Sequence, residues 1–289
     1  MDTVDQLMLD ICRCPNVDLA MNDHLHPCHE VVSVQKGTNE FQLPEPWTGD
    51  LDGSRLLIFA SNPSIDESEA YPTSNWRDEG ILNFFRNRFD EEYGWTKGGL
   101  HVLQKDRVNF AERVVRYWAE VKRQASRIYD FEARAGVDYT LTEVVHCKSR
   151  GRKGVRSASS TCGNLWLNRI LDASGSRVLL ILGDEAGEMI GQLLELDRTR
   201  ILHRSVMCGS ELRWVLFVPA PGSSKTRDIE KILNPSDLVA LREWINESWN
   251  YRPKAESKER DPRRRKSKGD KKAKRTYNRY RKGGRKGQR

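Results

Sequence analysis

Long apolar runs are missing from this sequence. None of its 289 residues belongs to a stretch of the roughly 18 apolar residues that a membrane-spanning helix requires. The opening MDTVDQLMLDICRC carries acidic residues and no basic region ahead of its short apolar part, unlike a secretory signal. A cytoplasmic protein, monomeric and without a membrane partner, is the expectation. There is no GxGxxG fingerprint, no Walker loop and no internal repeat, so dinucleotide-binding, P-loop and solenoid readings have no support. Cysteine is sparse. The six cysteines (12, 14, 28, 147, 162 and 208) are expected as reduced thiols or metal ligands, not disulfides, in a reducing compartment.

Aliphatic residues are almost absent after position 251. Residues 252–289 hold 19 of the 49 Lys and Arg and only 4 of the 41 Asp and Glu. The net charge of +8 therefore divides into +15 in this tail and −7 in residues 1–251. A segment that cannot bury a core is expected to be disordered. Its arginines, with Tyr277 and Tyr280 among them, suit phosphate contacts and base stacking, which points to nucleic acid as the partner.

What is present in 1–251 is an alternation of strand and helix patterns. Buried strands are expected over 55–60, 139–147, 177–183 and 213–219, where β-branched and apolar residues run together. Helices are expected over 78–89, 106–129, 161–172 (capped by Thr161), 184–196 (after a Gly183-Asp184 turn) and 235–249, with Ser236 near its start. This order predicts an α/β sandwich around a mainly parallel, four-stranded sheet, which the resemblance described below makes a three-layer α/β/α sandwich. Parallel strands bring their carboxyl ends to one edge, where α/β sheets bind ligands. The segments expected at that edge are SNPS (61–64), TEVVHCKSRGRKG (142–154), Gly183-Asp184 and PAPGSSKTR (219–227).

These segments carry a resemblance. LLIFASNPS, DYTLTEVVHCKSRGRKG, TCGNLWLNRILDASGSRVLLILGDEA and FVPAPGSSKTR, in that order, resemble four motifs of the uracil-DNA glycosylase superfamily, in particular its iron–sulfur branch. The likeness covers roughly residues 55–235, within a domain of 1–251 whose first 50 residues form a Cys- and His-containing segment packed on it. The resemblance implies flipping of a nucleotide from duplex DNA and hydrolysis of its N-glycosidic bond, because the glycosidic carbon cannot be reached inside the stack.

Carried over residue by residue, it makes Asn62 the water-positioning group. An amide orients water without accepting its proton, so Asp66 or Glu67 would add the base function. Ser64 stands where the family gates the C5 edge of the base, and a serine leaves room there. Tyr71 or Trp76 would stack on the flipped base. Glu143 stands where the family places a uracil-reading Asn. A carboxylate cannot donate to uracil O4 but can accept from the exocyclic amine of cytosine. The alternative for Glu143 is a structural ion pair with Arg150 or Arg152. Ala220 replaces a histidine that stabilises the departing base in many members, with His146 and His203 as candidate substitutes. The loop Gly222-Ser223-Ser224-Lys225 and Arg227 would grip DNA phosphates.

Cys147 and Cys162 are 14 residues apart, close to the spacing of that branch's second cysteine pair. Where a C-x-x-C is expected near the N-terminus, this chain has Cys12-Arg13-Cys14 and then Cys28. Cys14, Cys28, Cys147 and Cys162 are the implied ligands of a [4Fe–4S] cluster. Zinc is the alternative, given His24, His26 and His29 around Cys28, and four buried thiols are the third reading. No lysine matches a catalytic position, so a monofunctional enzyme is expected. The readings that follow are a glycosylase for a C5-substituted cytosine, such as the glucosylated hydroxymethylcytosine of phage DNA, a repair enzyme for uracil or deaminated bases, and a non-catalytic nucleic-acid-binding protein.

Overall fold

The computed structural model describes residues 3–38, 40–223 and 226–247. The basic tail lies outside the described residues. The sheet has six strands, not four. In chain order they are β1 (Trp47–Thr48), β2 (Leu56–Ala60), β5 (Tyr139–Glu143), β6 (Val178–Leu182), β7 (Leu202–Cys208) and β8 (Glu211–Val218); β3 (Thr96–Lys97) and β4 (His101–Val102) form a separate hairpin. The sheet order is β1-β5-β2-β6-β8-β7. The four expected strands, β2, β5, β6 and β8, are its parallel centre. The two additions pair antiparallel at the edges, β1 on β5 and β7 on β8. β1 has two residues and β7 alternates buried with exposed positions, so neither carries the continuous apolar signal of a central strand.

Every residue of β2, β5 and β6 is buried. Side chains alternate across the sheet. Leu57, Phe59, Leu179, Ile181, Val215 and Phe217 join one core. There they meet α1 (Thr3–Cys12), α2 (Asn16–Asn22), α3 (His29–Ser33), α4 (Asp78–Asn87), α6 (Val155–Ala173) and α7 (Asp184–Leu193). Leu56, Ile58, Val178, Leu180, Trp214 and Leu216 join the other, with α5 (Arg116–Tyr129), α8 (Ile229–Ile232) and α9 (Pro235–Asn246). Helices therefore cover both faces. The N-terminal helices α1 to α3 belong to the first core. Among the described residues no helix is long and apolar enough to cross a membrane.

Two helix expectations need correction. The helix expected over 106–129 begins only at Arg116, because Asp106 ties its carboxylate to the backbone N–H groups of Val108 and Asn109 and forms a turn. α6 starts six residues before Thr161, capped by Gly154 at φ +73°, so Thr161 lies inside it. There a Cβ would meet the backbone of Val31 at 2.3 Å, so glycine lets α3 close onto the start of α6. α9 starts at Pro235 with Ser236 near its start, as expected, and is capped by Asn234, whose side chain accepts from the N–H of Asp237.

From β2 the chain passes to β5 on one side, then returns across β2 to β6 on the other. The reversal places a topological switch point at the carboxyl end of β2, the usual position of a ligand crevice in such sheets.

Candidate functional site

A cleft of about 820 Å³ opens at this switch point. That volume lies in the range of about 300–1,000 Å³ usual for ligand sites. The four loops expected to converge there do so. Asn62 and Ser64 arrive from β2, Glu143 and Lys148 from β5, Gly183 and Asp184 from β6, and Ala220, Gly222 and Ser223 from β8. Ala60 and Glu143 are register partners, so Asn62 lies two residues beyond a position level with Glu143. The first two loops are joined by backbone pairing, with Ser149 donating its N–H to the Pro63 carbonyl at 3.0 Å.

Asn62 is half-buried. Its amide nitrogen donates to the Pro63 carbonyl at 2.9 Å, and its Oδ1 accepts from the Ser61 hydroxyl at 3.3 Å. These bonds hold the side chain and leave Oδ1 capacity for one water. Asp66 also lines the cleft, with Oδ1 accepting from the N–H and hydroxyl of Ser68 at 2.9 and 2.7 Å. Glu67 is paired with Arg150 on the rim. Ser64 is an exposed lining residue.

Tyr71 and Trp76 are not at the cleft, contrary to expectation. Tyr71 is 4% exposed, wedged edge-on against Phe84 and Phe85, and donates its hydroxyl to Glu45 Oε2 at 3.1 Å. Trp76 packs on Phe84 and Trp95, with the Arg107 guanidinium over its ring. Both pack against the aromatic residues of α4, Tyr71 on Phe84 and Phe85 and Trp76 on Phe84. The aromatics that do line the cleft are Tyr117 and Trp118, at the start of α5. The apolar periodicity of α5 marks Trp118 as core but leaves Tyr117 looking like an ordinary flank.

The cleft floor holds a buried ionic cluster that sequence reasoning missed. Arg88 donates through Nη1 to Glu45 Oε1 at 3.0 Å and through Nη2 to Glu69. Lys148 Nζ stands 3.6 Å from Glu69 Oε2 and 3.5 Å from the centre of the Tyr71 ring. All four charged residues are buried and line the cleft. Burial alone would raise the Glu45 carboxyl; Arg88 and Lys148 reverse that and hold it below the usual range. A signal existed in the arginine among the phenylalanines of FFRNRF and in a lysine following an apolar strand, but only contacts reveal their partners.

Glu143 joins this cluster without a cation of its own. Arg150 and Arg152, its candidate structural partners, bind Glu67 and Glu185 instead. Its Oε2 is buried and has no hydrogen-bond partner among the described residues. Burial, and then the nearby Glu45 carboxylate, push its pKa well above the ordinary carboxylate value. The hydroxyl of Tyr117 is likewise buried and unpaired; burial and then Glu143 push its pKa up.

Neither candidate histidine replaces the one absent at Ala220. His146 is 1% exposed, and its Nδ1–H donates to the Glu45 carbonyl at 2.7 Å. Its Nε2 is then an unpaired lone pair, and burial lowers its pKa to about 4, so it stays neutral. His203 bonds through Nε2 to the Asp197 carbonyl on the edge strand β7, away from the cleft. Ala220 itself is crowded, since a Cβ at Gly183 (φ +89°) would fall 2.9 Å from its methyl. Of the expected phosphate loop, Gly222 and Ser223 line the cleft, and Ser224 and Lys225 lie outside the described residues. Arg227 is partly neutralised by Glu120, 3.1 Å away, and donates to the Ser223 carbonyl.

Cys14, Cys28, Cys147 and Cys162 meet around one small apolar pocket lined by Val17, Val31, Val32 and Val145. The backbone N–H of His146 points at Cys162 Sγ, 3.5 Å away. Burial pushes all four thiols up, Cys28 to about 11. His24, His26 and His29 are not among the residues that line this pocket. Among the described residues no three His, Cys, Asp or Glu side chains are gathered closely enough for a single metal ion.

A scan against protein-family models finds no match for this chain, and a search of curated proteins finds none either.

Proposed function

We propose that this chain is a DNA glycosylase that flips a modified base, a C5-substituted cytosine such as glucosylated hydroxymethylcytosine in phage DNA, and hydrolyses its N-glycosidic bond. The observation that carries this reading is the meeting of Asn62 and Glu143, from adjacent parallel strands, in one cleft at the switch point. Asn62 Oδ1 orients the attacking water and Asp66 receives its proton. Glu143 and the hydroxyl of Tyr117 face the base edge, and exposed Ser64 leaves room for a C5 substituent. Gly222, Ser223 and Arg227 contact phosphates, and the basic tail adds sequence-independent affinity.

The product is an abasic site with the strand intact. Duplexes carrying hydroxymethylcytosine, its glucosylated form, uracil or hypoxanthine test this reading, with alkali cleavage revealing abasic sites. Cleavage confined to a modified cytosine is expected. Cleavage of uracil or hypoxanthine would make this a repair enzyme, a reading favoured by the unpaired Glu143, because a neutral carboxyl offers the same donor and acceptor as an amide. Binding without any cleavage would leave a nucleic-acid-binding protein.

The four thiols around this pocket are the residues that would hold a [4Fe–4S] cluster: largely apolar surroundings and a backbone N–H aimed at sulfur favour one, although the side chains are not gathered as closely as a single-ion site requires. When bound, the cluster would supply a cross-link rather than chemistry. The four cysteines tie the α1–α2 turn, α3, the end of β5 and α6 together, and their protons are displaced on binding. Protein purified without oxygen is expected to be coloured and to contain about four iron and four sulfide per chain. Cys147→Ser should remove both. A colourless, iron-free wild type from iron-replete cells would leave four buried thiols.

A further inference from the structure

Three buried polar atoms of cleft-lining residues have no hydrogen-bond partner among the described residues, Glu143 Oε2, the Tyr117 hydroxyl and Arg88 Nε. Arg88 still has two carboxylates on its other nitrogens, which leaves Glu143 and Tyr117 as the two side chains with no polar partner at that end. Buried polar groups are nearly always paired. Orphans facing a cleft therefore mark where ligand atoms bind.

Charge balance decides what Glu143 can offer. The charged groups around it are Glu45 ahead of β1, Glu69 in the loop after β2, Arg88 at the end of α4 and Lys148 after β5; Tyr117 of α5 is the remaining titratable neighbour. Arg88 is committed to Glu45 and Glu69, and Lys148 lies against Glu69. Two cations are thus matched by two carboxylates. A third ionised carboxylate would be buried without compensation, so Glu143 takes up a proton instead. Burial acts in the same direction. A neutral carboxyl differs from the amide that stands here in the resembled family in one respect: its proton can leave.

Resting on the glycosylase reading, we propose that Glu143 is the general acid for the departing base, giving its proton to ring nitrogen N3 of a flipped cytosine-type base. The other carboxyl oxygen accepts from the exocyclic amine, and Tyr117 donates its hydroxyl to the same base edge. As the N1–C1′ bond breaks, its electron pair stays on N1, and the proton on N3 makes the departing base neutral. Water oxygen bonds to C1′ and its released proton passes to Asp66. Glu143 regains a proton from solvent, so one proton enters and one leaves. This supplies leaving-group stabilisation that no side chain at Ala220 can provide. Uracil, protonated at N3, cannot receive the proton.

Glu143→Gln separates proton transfer from recognition, because its amide keeps one donor and one acceptor. With the duplex panel, the variant is expected to lose about 100-fold or more in kcat, the usual contribution of a general acid, with KM within a few fold. Wild-type kcat should fall tenfold per pH unit above the pKa of Glu143 in the complex, and the Gln variant should lack that limb. Infrared difference spectra of the free enzymes should show a protonated-carboxyl band that Glu143→Gln removes. A wild type active on modified cytosine, with a Gln variant of equal kcat and the same pH profile, would overturn this inference and leave the glycosylase reading standing. A wild type that cleaves none of the panel would remove both. Tyr117→Phe is a second variant that leaves the ionic cluster intact. It should raise KM while keeping the alkaline limb, and loss of that limb would assign the proton to Tyr117 instead.

Discussion

Asn62→Ala is expected to lower kcat on the preferred duplex by about 100-fold, the scale of loss when a reactant is no longer held in line. The side chain is half-buried at the end of β2 and is held between Ser61 and Pro63. Its removal costs two weak local hydrogen bonds, so folding should be almost unaffected. KM should change little, because the proposed function assigns the base to groups across the cleft and the phosphates to the loop after β8. Asn62→Asp provides the contrast. A carboxylate accepts from both the Ser61 hydroxyl and a water, and can also take the water's proton, so this variant should keep or exceed wild-type turnover. Single-turnover rates with melting temperatures of the same samples decide the matter. Full activity in Asn62→Ala at wild-type stability would show that the residue only shapes the SNPS turn.

Arg88→Met should lower the melting temperature by roughly 10 °C. Removing one partner of a buried ion pair costs about 3–5 kcal/mol, and a domain of this size loses about 2–4 °C per kcal/mol. Arg88 is 3% exposed, binds two carboxylates and lies against Tyr71, Phe84 and Trp118. Methionine preserves much of the packing but leaves Glu45 and Glu69 with only Lys148. Without Arg88, burial would dominate the Glu45 carboxyl and raise its folded pKa above the unfolded value. Such a group takes up a proton on folding, so its penalty is absent at low pH and grows as pH rises through the unfolded value near 4.5. The deficit should therefore be larger at pH 8 than at pH 5, and adding Glu45→Gln should recover part of it. A deficit independent of pH would assign the loss to packing alone.

Four parallel strands, the helices around them and the convergence of their loops were legible in the sequence. A strand buried on both faces of a sheet must be apolar throughout, and LLIFA and VLLIL are. The edge strands were not legible. β7 exposes its middle and β1 is too short to show a period. The aromatic assignment failed for a related reason. Spacing from Asn62 marks where a ring lies along the chain, but the face it turns to depends on α4, which draws Tyr71 and Trp76 toward Phe84. The four cysteines, scattered over almost 150 residues, line one small pocket, and only the packing of α3 and α6 brings them to it.

From sequence alone came the strand-and-helix order, the crevice-facing loops and the identity of Asn62, Ser64, Asp66 and Glu143, because local pattern and strand ends are properties of neighbouring residues. Only the tertiary structure decided the burial of Glu143 and the presence at the cleft of Tyr117 and of the Glu45–Arg88–Glu69–Lys148 cluster. Those depend on burial and on which charges meet. Arg88 finds Glu45 43 residues away, and Lys148 finds Glu69 from the next parallel strand. A carboxyl's protonation follows from the sum of such distant neighbours, and no window along the chain contains them.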